Sequence, residues 1–228
     1  MRVRRSLFTF FATIFVAFGL VAPAANAAPV VNQGDRIFMD VGFSRNGCTV
    51  GYVDHAKRQF ITSGHCVNFP GQPVFNERRE RIGTVMTPPM DLFPGQNDYA
   101  YIALRGAHPG ANGFSGNGRV HPSHIRPGER ICTFGASTRQ QFCGTVYAVR
   151  GSAIFFQDAV GTRSGDSGGP TWIPGRGFVG ALSGGSSSGK SIASAPYFYF
   201  GPDLLWQFAS DIRQPVTVAN LLGSFYWT

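Results

Sequence analysis

Charge and cysteine are both scarce in this 228-residue chain, and each shortage limits the class of protein. Charged residues make up only 14% of the sequence and hydrophobic residues 43%, a balance that excludes a disordered chain and is typical of a globular protein. The four cysteines form no C-x-x-C pair and the five histidines form no H-E-x-x-H pair, so the spacing does not favour a zinc site. We therefore expect neither a metal ion nor a cofactor.

Acidic residues are the scarcer charge, with 12 against 20 basic ones. The formal net charge is +8, and it falls to +5 when the three arginines of residues 1–27 are left out. No basic stripe interleaved with aromatic residues occurs, and the densest basic run, residues 77–81, carries its own glutamates. Such a run is typical of a solvated hairpin face, so we expect no nucleic-acid partner.

Only one apolar run approaches membrane length, and it lies at the N-terminus. A basic head, Met1–Ser6, precedes the apolar stretch Leu7–Val21, and small residues lead up to Ala27. These are the three parts of a secretory signal, and the apolar stretch is shorter than the roughly 20 residues that span a bilayer. Residues 1–27 are therefore predicted to be a signal peptide, with an uncleaved tether as the alternative. The mature protein is then extracellular, free or at the cell envelope, with no stable membrane insertion.

Export suits the cysteines, because an oxidising compartment favours two disulfides over free thiols. Three pairings are possible. The sequential one would close two short loops, each contributing about 2–3 kcal/mol, between Cys48 and Cys66 and between Cys132 and Cys143.

Short alternating or β-branched runs recur at close intervals, which predicts an all-β barrel or sandwich. The predicted strands are Arg36–Val41, Cys48–Val53, Gln59–Ser63, Ile82–Met86, Tyr99–Leu104, Arg130–Phe134, Gly144–Val149, Ala153–Gln157, Gly177–Leu182 and Ala195–Phe200. Only Pro202–Ile212 has a helical pattern, and the tail 213–228 is expected to pack on the second half. A Gly/Asn-rich connector, residues 109–118, separates an N-terminal half, 28–113, from a C-terminal half, 114–228. Each half suits a six-stranded barrel but is small for an independent domain, so we expect two packed barrels in one domain.

Ser167 has the surroundings of a nucleophile, since it lies in the glycine-rich string Gly165-Asp166-Ser167-Gly168-Gly169. Neighbours without side chains let a substrate approach and free backbone N–H groups to bind an oxyanion. The string also fits the elbow of α/β-hydrolases, but that fold places its histidine after the serine. Here every histidine precedes Ser167. The catalytic residues would therefore follow one another along the chain in the order His, Asp, Ser.

His65 and Asp98 are the candidates for the base and the acid. His65 follows a predicted strand and precedes Cys66, which can pin it, whereas the other histidines lie in charged or Pro/Gly-rich turns. Asp98 opens the apolar run Tyr99–Leu104, where a buried carboxylate could fix the tautomer of His65.

Three motifs, 62–66 (TSGHC), 97–100 (NDYA) and 165–170 (GDSGGP), resemble the signatures of chymotrypsin-like serine proteases. Short loops, two predicted disulfides and the string 183–185 (SGG) are similar to the secreted bacterial branch with the streptogrisins and alpha-lytic protease. The resemblance covers about residues 31–200. It implies an all-β fold of two packed six-stranded antiparallel Greek-key barrels, with a short C-terminal helix and the active site in the cleft between the barrels.

The resemblance also implies a secreted, monomeric serine endopeptidase that acts on peptides or proteins. It makes Ser167 the nucleophile, His65 the general base and Asp98 the orienting acid. The N–H groups of Gly165 and Ser167 form the oxyanion hole. The implied substrate-binding residues are Gly161, Thr162, Ser183, Gly184 and Gly185. Because Gly161 stands where trypsin has an acid, we expect an uncharged, apolar side chain before the cut bond.

Two departures from the pattern leave alternatives open. Residues 28–33 only loosely resemble the start of the mature family members. In the family Asp166 pairs with a cation, for which the sequence offers Arg163 or Arg130. A silent homologue acting as a secreted binding protein, and a secreted esterase with the same triad, are the competing functions.

Overall fold

The computed structural model describes residues 27–41, 44–86, 98–150, 152–159, 161–185 and 191–194, and these are almost entirely β-structure. The strands are β1 (Val30–Val31), β2 (Arg36–Val41), β3 (Ser44–Thr49), β4 (Tyr52–Asp54), β5 (Gln59–Thr62), β6 (Pro73–Phe75), β7 (Arg81–Val85), β8 (Ala100–Leu104), β9 (His108–Pro109), β10 (Arg130–Gly135), β11 (Gln140–Arg150), β12 (Ala153–Gln157), β13 (Pro170–Ile173), β14 (Gly177–Gly185) and β15 (Ser191–Ser194). Single 3-10 turns occur at Gly64–Cys66 and Pro122–His124.

The first barrel is a sheet of seven strands in the order β3-β2-β6-β7-β8-β5-β4. Strands β3 and β4 follow one another with only Val50 and Gly51 between them, and they pair with β2 and β5 at the two edges of the sheet. They are therefore two parts of one bent stretch of chain. The predicted strand Cys48–Val53 covers only the end of β3 and the start of β4, with the bend between them. Because of the bend, one stretch of chain lies at both edges of the sheet. The seven strands are thus formed by six segments of chain, and the sheet curls into a barrel.

The second barrel is closed, with six strands in the order β10-β11-β12-β15-β14-β13. Its core is a buried apolar cluster that draws on residues from Val120 to Ala193, separate from the first barrel's cluster between Val31 and Ala107. The predicted all-β, two-barrel fold is confirmed. Both sequential disulfides are present, Cys48–Cys66 in the first barrel and Cys132–Cys143 across β10 and β11.

The predicted strands agree with the structure where the sequence alternates. Arg36–Val41 and Ala153–Gln157 are reproduced at both ends. The strands β6 and β13 were not predicted from the sequence. Both begin at a proline, and β13 is buried throughout, so it has no alternation to reveal it. The signal peptide up to residue 26, the strand at Ala195–Phe200, the helix at Pro202–Ile212 and the tail 213–228 lie outside the described residues.

The two barrels meet through apolar side chains and are tied together by the connector. Tyr52 and Ile61 of the first barrel form one buried cluster with Phe178 and Ala181 of the second. Asn112 of the connector bonds both backbone groups of Val53, at 2.8 and 2.9 Å. No helix among the described residues is long and apolar enough to cross a membrane.

Candidate active site

His65 lies in the 3-10 turn directly after β5, at the end of the first barrel that faces the second. The neighbouring Cys66 is buried and bonded to Cys48 of β3. Ser63 is also buried, and its hydroxyl donates to the carbonyl of Leu182 in the second barrel at 2.7 Å. The turn is thus fixed on both sides, by a disulfide within its own barrel and by a hydrogen bond to the other.

Asp98 holds His65 by both carboxylate oxygens. One oxygen, Oδ1, accepts the backbone N–H of His65 at 2.8 Å, and the other, Oδ2, lies 2.8 Å from Nδ1 of the ring. Asp98 is 5% exposed, whereas the His65 side chain keeps 36% of its surface accessible. The carboxylate therefore holds the ring on its buried side. The proton lies on Nδ1, and Nε2 is the nitrogen that can accept a proton.

The same contact sets the acidity of the imidazole. Burial of the ring lowers the pKa of His65, whereas the negative charge of Asp98 and its hydrogen bond raise it, and the balance leaves the pKa above its ordinary value of 6.5. A raised pKa makes the neutral ring a stronger base, and it restricts that neutral form to higher pH.

The loop that carries Ser167 is docked on the strand end that carries His65. Thr49 of β3 donates its backbone N–H to the carbonyl of Ser167 at 2.8 Å and its hydroxyl to the carbonyl of Gly165 at 2.9 Å. Gly168 packs so closely on the first barrel that an added Cβ would lie 2.1 Å from Oγ1 of Thr62, and its φ of +85° is itself a glycine conformation. The structure thus brings the three predicted triad residues to one face of the contact between the barrels.

The N–H groups of Gly165 and Ser167 are available to an oxyanion. Gly165 has a φ of +91°, in the left-handed region that favours glycine. Neither N–H is donated to another described residue, although the N–H groups of Asp166, Gly168 and Gly169 are. The N–H groups of Asp166 and Gly169 thus bond within the loop and that of Gly168 bonds to Leu182 of β14, whereas those of Gly165 and Ser167 have no acceptor among the described residues.

Asp166 is fully buried, and backbone N–H groups hold its carboxylate. Its Oδ1 accepts from Ser137 at 3.0 Å and from Thr138 at 2.9 Å, and its Oδ2 accepts from Arg163 at 2.8 Å. The cation expected from the side chain of Arg163 or Arg130 is absent among the described residues, where Asp166 makes no ion pair. Arg163 contributes its backbone instead. The turn between β10 and β11 forms an amide nest around the carboxylate.

This nest depends on the missing side chain of Gly135. A Cβ at Gly135 would lie 2.0 Å from Cγ of Asp166, so the strand can approach the carboxylate only as glycine. Sequence reasoning missed Gly135, Ser137 and Thr138. The one available signal was the tight spacing of Cys132 and Cys143, whose disulfide pins the hairpin that carries the nest.

Gly135→Ala is expected to displace the Ser167 loop, whose N–H groups form the oxyanion hole that the resemblance implies. The added methyl group must displace the Asp166 carboxylate and with it the neighbouring N–H groups, and the loss of one oxyanion donor typically costs about 10²–10³ in kcat. We expect kcat for peptide hydrolysis to fall by about 100-fold or more, with a smaller change in KM. The measurement is steady-state kinetics on the folded variant.

The matched control is Gly113→Ala, because an added Cβ there meets no atom within 4 Å and its φ is not positive. It is expected to behave as the parent protein. A Gly135→Ala variant with the parent's kcat would show that the nest does not position the oxyanion loop.

The residues predicted to bind substrate lie on both sides of the Ser167 loop. Ser183 and Gly184, on β14, are buried, and Gly161 and Thr162 precede the loop on its other side. The ring of Phe142 closes on Gly161, where a Cβ would lie 2.8 Å away. The hydroxyls of Ser183 and of Ser191 on β15 are buried, and neither has a hydrogen-bond partner among the described residues. Ser191 was not predicted from the sequence.

Within the part of the chain that the structure describes, no group of three or more His, Cys, Asp or Glu side chains could hold a metal ion. His121 and His124 approach each other with ring centroids 6.0 Å apart, but they lie on an exposed turn of the second barrel.

No protein-family model matches the chain. An uncharacterized protein of Mycobacterium tuberculosis (strain H37Rv) is 28% identical, over 82% of this chain and 87% of that protein. An uncharacterized protein of the strain CDC 1551 is 29% identical over the same shares.

Two solved protease structures resemble the chain in fold. One is a serine protease described as specific for glutamic acid and as using a histidine triad in substrate binding. It gives a TM-score of 0.57 at 22% identity, over 72% of this chain and 93% of that protein. Thermobifida fusca protease A gives 0.53 at 23% identity, over 79% and 96%. The chain has the two-barrel fold of these bacterial, chymotrypsin-like serine proteases.

Proposed function

We propose that the protein is a secreted serine endopeptidase that cleaves peptide bonds through an acyl-enzyme. The observation that carries the proposal is that Asp98 holds His65 through both carboxylate oxygens, while the Ser167 loop is hydrogen-bonded to Thr49 at the end of β3 in the same barrel. A structural histidine needs no buried carboxylate on Nδ1, and a structural Gly/Ser turn needs no unpaired N–H groups. Together these features are the parts of nucleophilic acyl transfer.

In acylation, Nε2 of His65 takes the proton of the Ser167 hydroxyl as Oγ attacks the carbonyl carbon of the substrate. The carbonyl oxygen becomes an oxyanion and is bound by the N–H groups of Gly165 and Ser167. His65 then gives its proton to the leaving amine, the C–N bond breaks, and the acyl group stays on Ser167. Asp98 remains ionised throughout and stabilises the imidazolium.

In deacylation, water replaces the amine. His65 removes a proton from the water, the hydroxyl oxygen attacks the ester carbon, and a second oxyanion forms in the same place. The ester bond to Ser167 breaks, Oγ regains its proton from His65, and the carboxylic acid leaves.

Substrate binding is assigned to the exposed side of the Ser167 loop. Ser183, Gly184 and Gly185 are proposed to pair with the substrate backbone as a strand edge. Gly161 and Thr162 are proposed to line the pocket for the side chain before the cut bond. Gly161 brings no charge and rests against the ring of Phe142, while the side chain of Asp158 is exposed.

The pocket prediction is tested with matched peptides that carry Phe, Leu, Ala, Arg or Glu before the cut bond. We expect kcat/KM to be highest for the uncharged residues. Burial of an unpaired charge disfavours Arg and Glu in such a pocket. A preference for Arg or for Glu would overturn this assignment of the pocket and leave the triad unaffected.

The proposed reaction is tested with a serine-directed phosphonate on the exported protein. The reagent is expected to form one adduct, on the Oγ of Ser167, and to abolish peptide cleavage in proportion to labelling. Labelling of Ser164 instead, or cleavage by fully labelled protein, would overturn the proposal. If the reagent labels Ser167 and the unlabelled protein hydrolyses esters but not peptides, the protein is an esterase.

A further inference from the structure

Six exposed basic side chains lie on three turns at one end of the first barrel. They belong to the β4–β5 turn, the β6–β7 turn and the end of β8, and they are Lys57, Arg58, Arg78, Arg79, Arg81 and Arg105. In the sequence they are spread over about fifty positions. We call this set the basic pole.

Backbone pairing brings the three turns together. The N–H of Leu104 donates to the carbonyl of Arg58, and the N–H of Arg105 donates to the carbonyl of Ile82, both at 2.9 Å. The guanidinium of Arg58 reaches across to the carbonyl of Ala107 at 3.2 Å. The basic side chains are therefore neighbours on one surface.

Acidic residues cancel only part of this charge. Glu77 and Glu80 lie on the β6–β7 turn, and Glu80 is 2.9 Å from Arg78. Against six cations, these two carboxylates leave a net charge of +4. Asp54 borders the pole but binds Arg119 at 3.0 Å. Asp35 lies close enough to interact with the charge of Glu77, and the net charge is +3 when Asp35 is counted with the pole.

The N-terminal segment enters the fold beside the basic pole. Strand β1 pairs in parallel with β9, which begins three residues after Arg105, and the N–H of His108 donates to the carbonyl of Pro29 at 2.8 Å. Only six residues separate the apolar run Leu7–Val21 from Ala28. If residues 1–27 act as the predicted signal, this end of the folded barrel would lie nearest the membrane until the signal is cleaved.

The active site lies at the opposite end of the same strands. Strand β5 runs from the pole to His65, and β8 runs between Asp98 and the pole. Four or five residues of strand span about 15 Å. A surface that binds the pole thus leaves the proposed catalytic residues facing away from it.

We propose that the basic pole docks the protein on an anionic lipid surface. Cationic side chains near such a surface are attracted without a specific pocket, which suits a convex set of turns. A nucleic acid is less suitable, because among the described residues no exposed aromatic side chain lies on these turns to stack on bases. Docking needs no catalysis, so it is tested separately from the proposed protease activity.

The test uses the exported protein with vesicles of phosphatidylcholine alone or mixed in equal parts with phosphatidylglycerol. In a sedimentation assay, we expect binding to the anionic vesicles only, with loss at about 1 M salt, where the Debye length is about 3 Å. The variant Lys57→Glu/Arg79→Glu/Arg105→Glu is expected to bind at least about 100-fold more weakly, given the contribution of each basic residue near a charged surface.

The matched control is Arg126→Glu/Arg130→Glu/Arg139→Glu, which changes the total charge equally with exposed arginines of the second barrel. It is expected to keep vesicle binding within a few-fold of the parent. All three proteins share one N-terminus, and a thermal melt checks that each is folded. Equal losses in both variants, binding to neutral vesicles, or tighter binding to a DNA duplex than to anionic vesicles would overturn the proposal.

Discussion

Ser167→Ala is expected to lower kcat for peptide hydrolysis by about 10⁶-fold, with little change in substrate affinity. The reason is that Oγ of Ser167 forms the covalent bond in the proposed mechanism, so no acyl-enzyme can form without it. The oxyanion N–H groups and the substrate-binding edge stay in place. These groups alone are therefore expected to keep hydrolysis about 10³–10⁴ times faster than the uncatalysed reaction in water. The measurements are kcat from stopped progress curves and peptide affinity from equilibrium binding.

The matched control for this variant is Ser164→Ala, which removes an exposed hydroxyl from the same loop. It is expected to keep the parent's kcat. Peptide cleavage by Ser167→Ala at the parent's rate would exclude Ser167 as the nucleophile. The protein would then be an enzyme with another catalytic centre.

Asp98→Asn is expected to lower kcat by about 10⁴-fold. The carboxylate accepts two hydrogen bonds from His65, one through each oxygen. An amide keeps only one acceptor oxygen, so its NH₂ group faces Nδ1 and favours the tautomer with the proton on Nε2. That nitrogen can then no longer take the proton of Ser167.

The pH profile separates this effect from a simple loss of structure. In the parent, the pKa of His65 is raised above 6.5 by Asp98 despite the opposing effect of burial. Neutral His65 is the active form, so kcat/KM should rise with pH through a midpoint above about 6.5. Without the negative charge of Asp98, burial acts unopposed, and the midpoint of the residual activity should move to lower pH.

Asp54→Asn is the control, since Asp54 is a buried aspartate of the same barrel that pairs with Arg119 and not with His65. It is expected to lower stability by about 1 kcal/mol or more and to leave the pH midpoint unchanged. An Asp98→Asn variant with the parent's midpoint would show that Asp98 does not set the pKa of His65.

The amide nest of Asp166 bears on how the oxyanion loop is held. All three of its donors belong to the second barrel, whereas the segment Val30–Gln33 lies against the connector and β9. Among the described residues, the buried carboxylate next to Ser167 is therefore held by backbone N–H groups, and neither the segment Val30–Gln33 nor an arginine side chain contributes.

The sequence by itself determined the fold class, because alternation and turn residues are local signals that survive in any barrel. It was accurate where one strand face is buried and the other is not, as in Arg36–Val41 and Ala153–Gln157. It also predicted two disulfides but left three pairings open, and the structure has the sequential one. Chain order selected the arrangement His, Asp, Ser, since every histidine precedes the serine, and the neighbouring residues selected His65 and Asp98 within it.

Only the tertiary structure decided which groups meet across the chain. Two of the three partners of Asp166 are backbone N–H groups from residues nearly thirty positions away, and the side-chain sequence gives no signal for a backbone donor. The basic pole is equally invisible, since strand pairing and not sequence distance places Arg58 beside Arg105. Local residues specify strands and turns, whereas the register between strands specifies which charges and amides share a site.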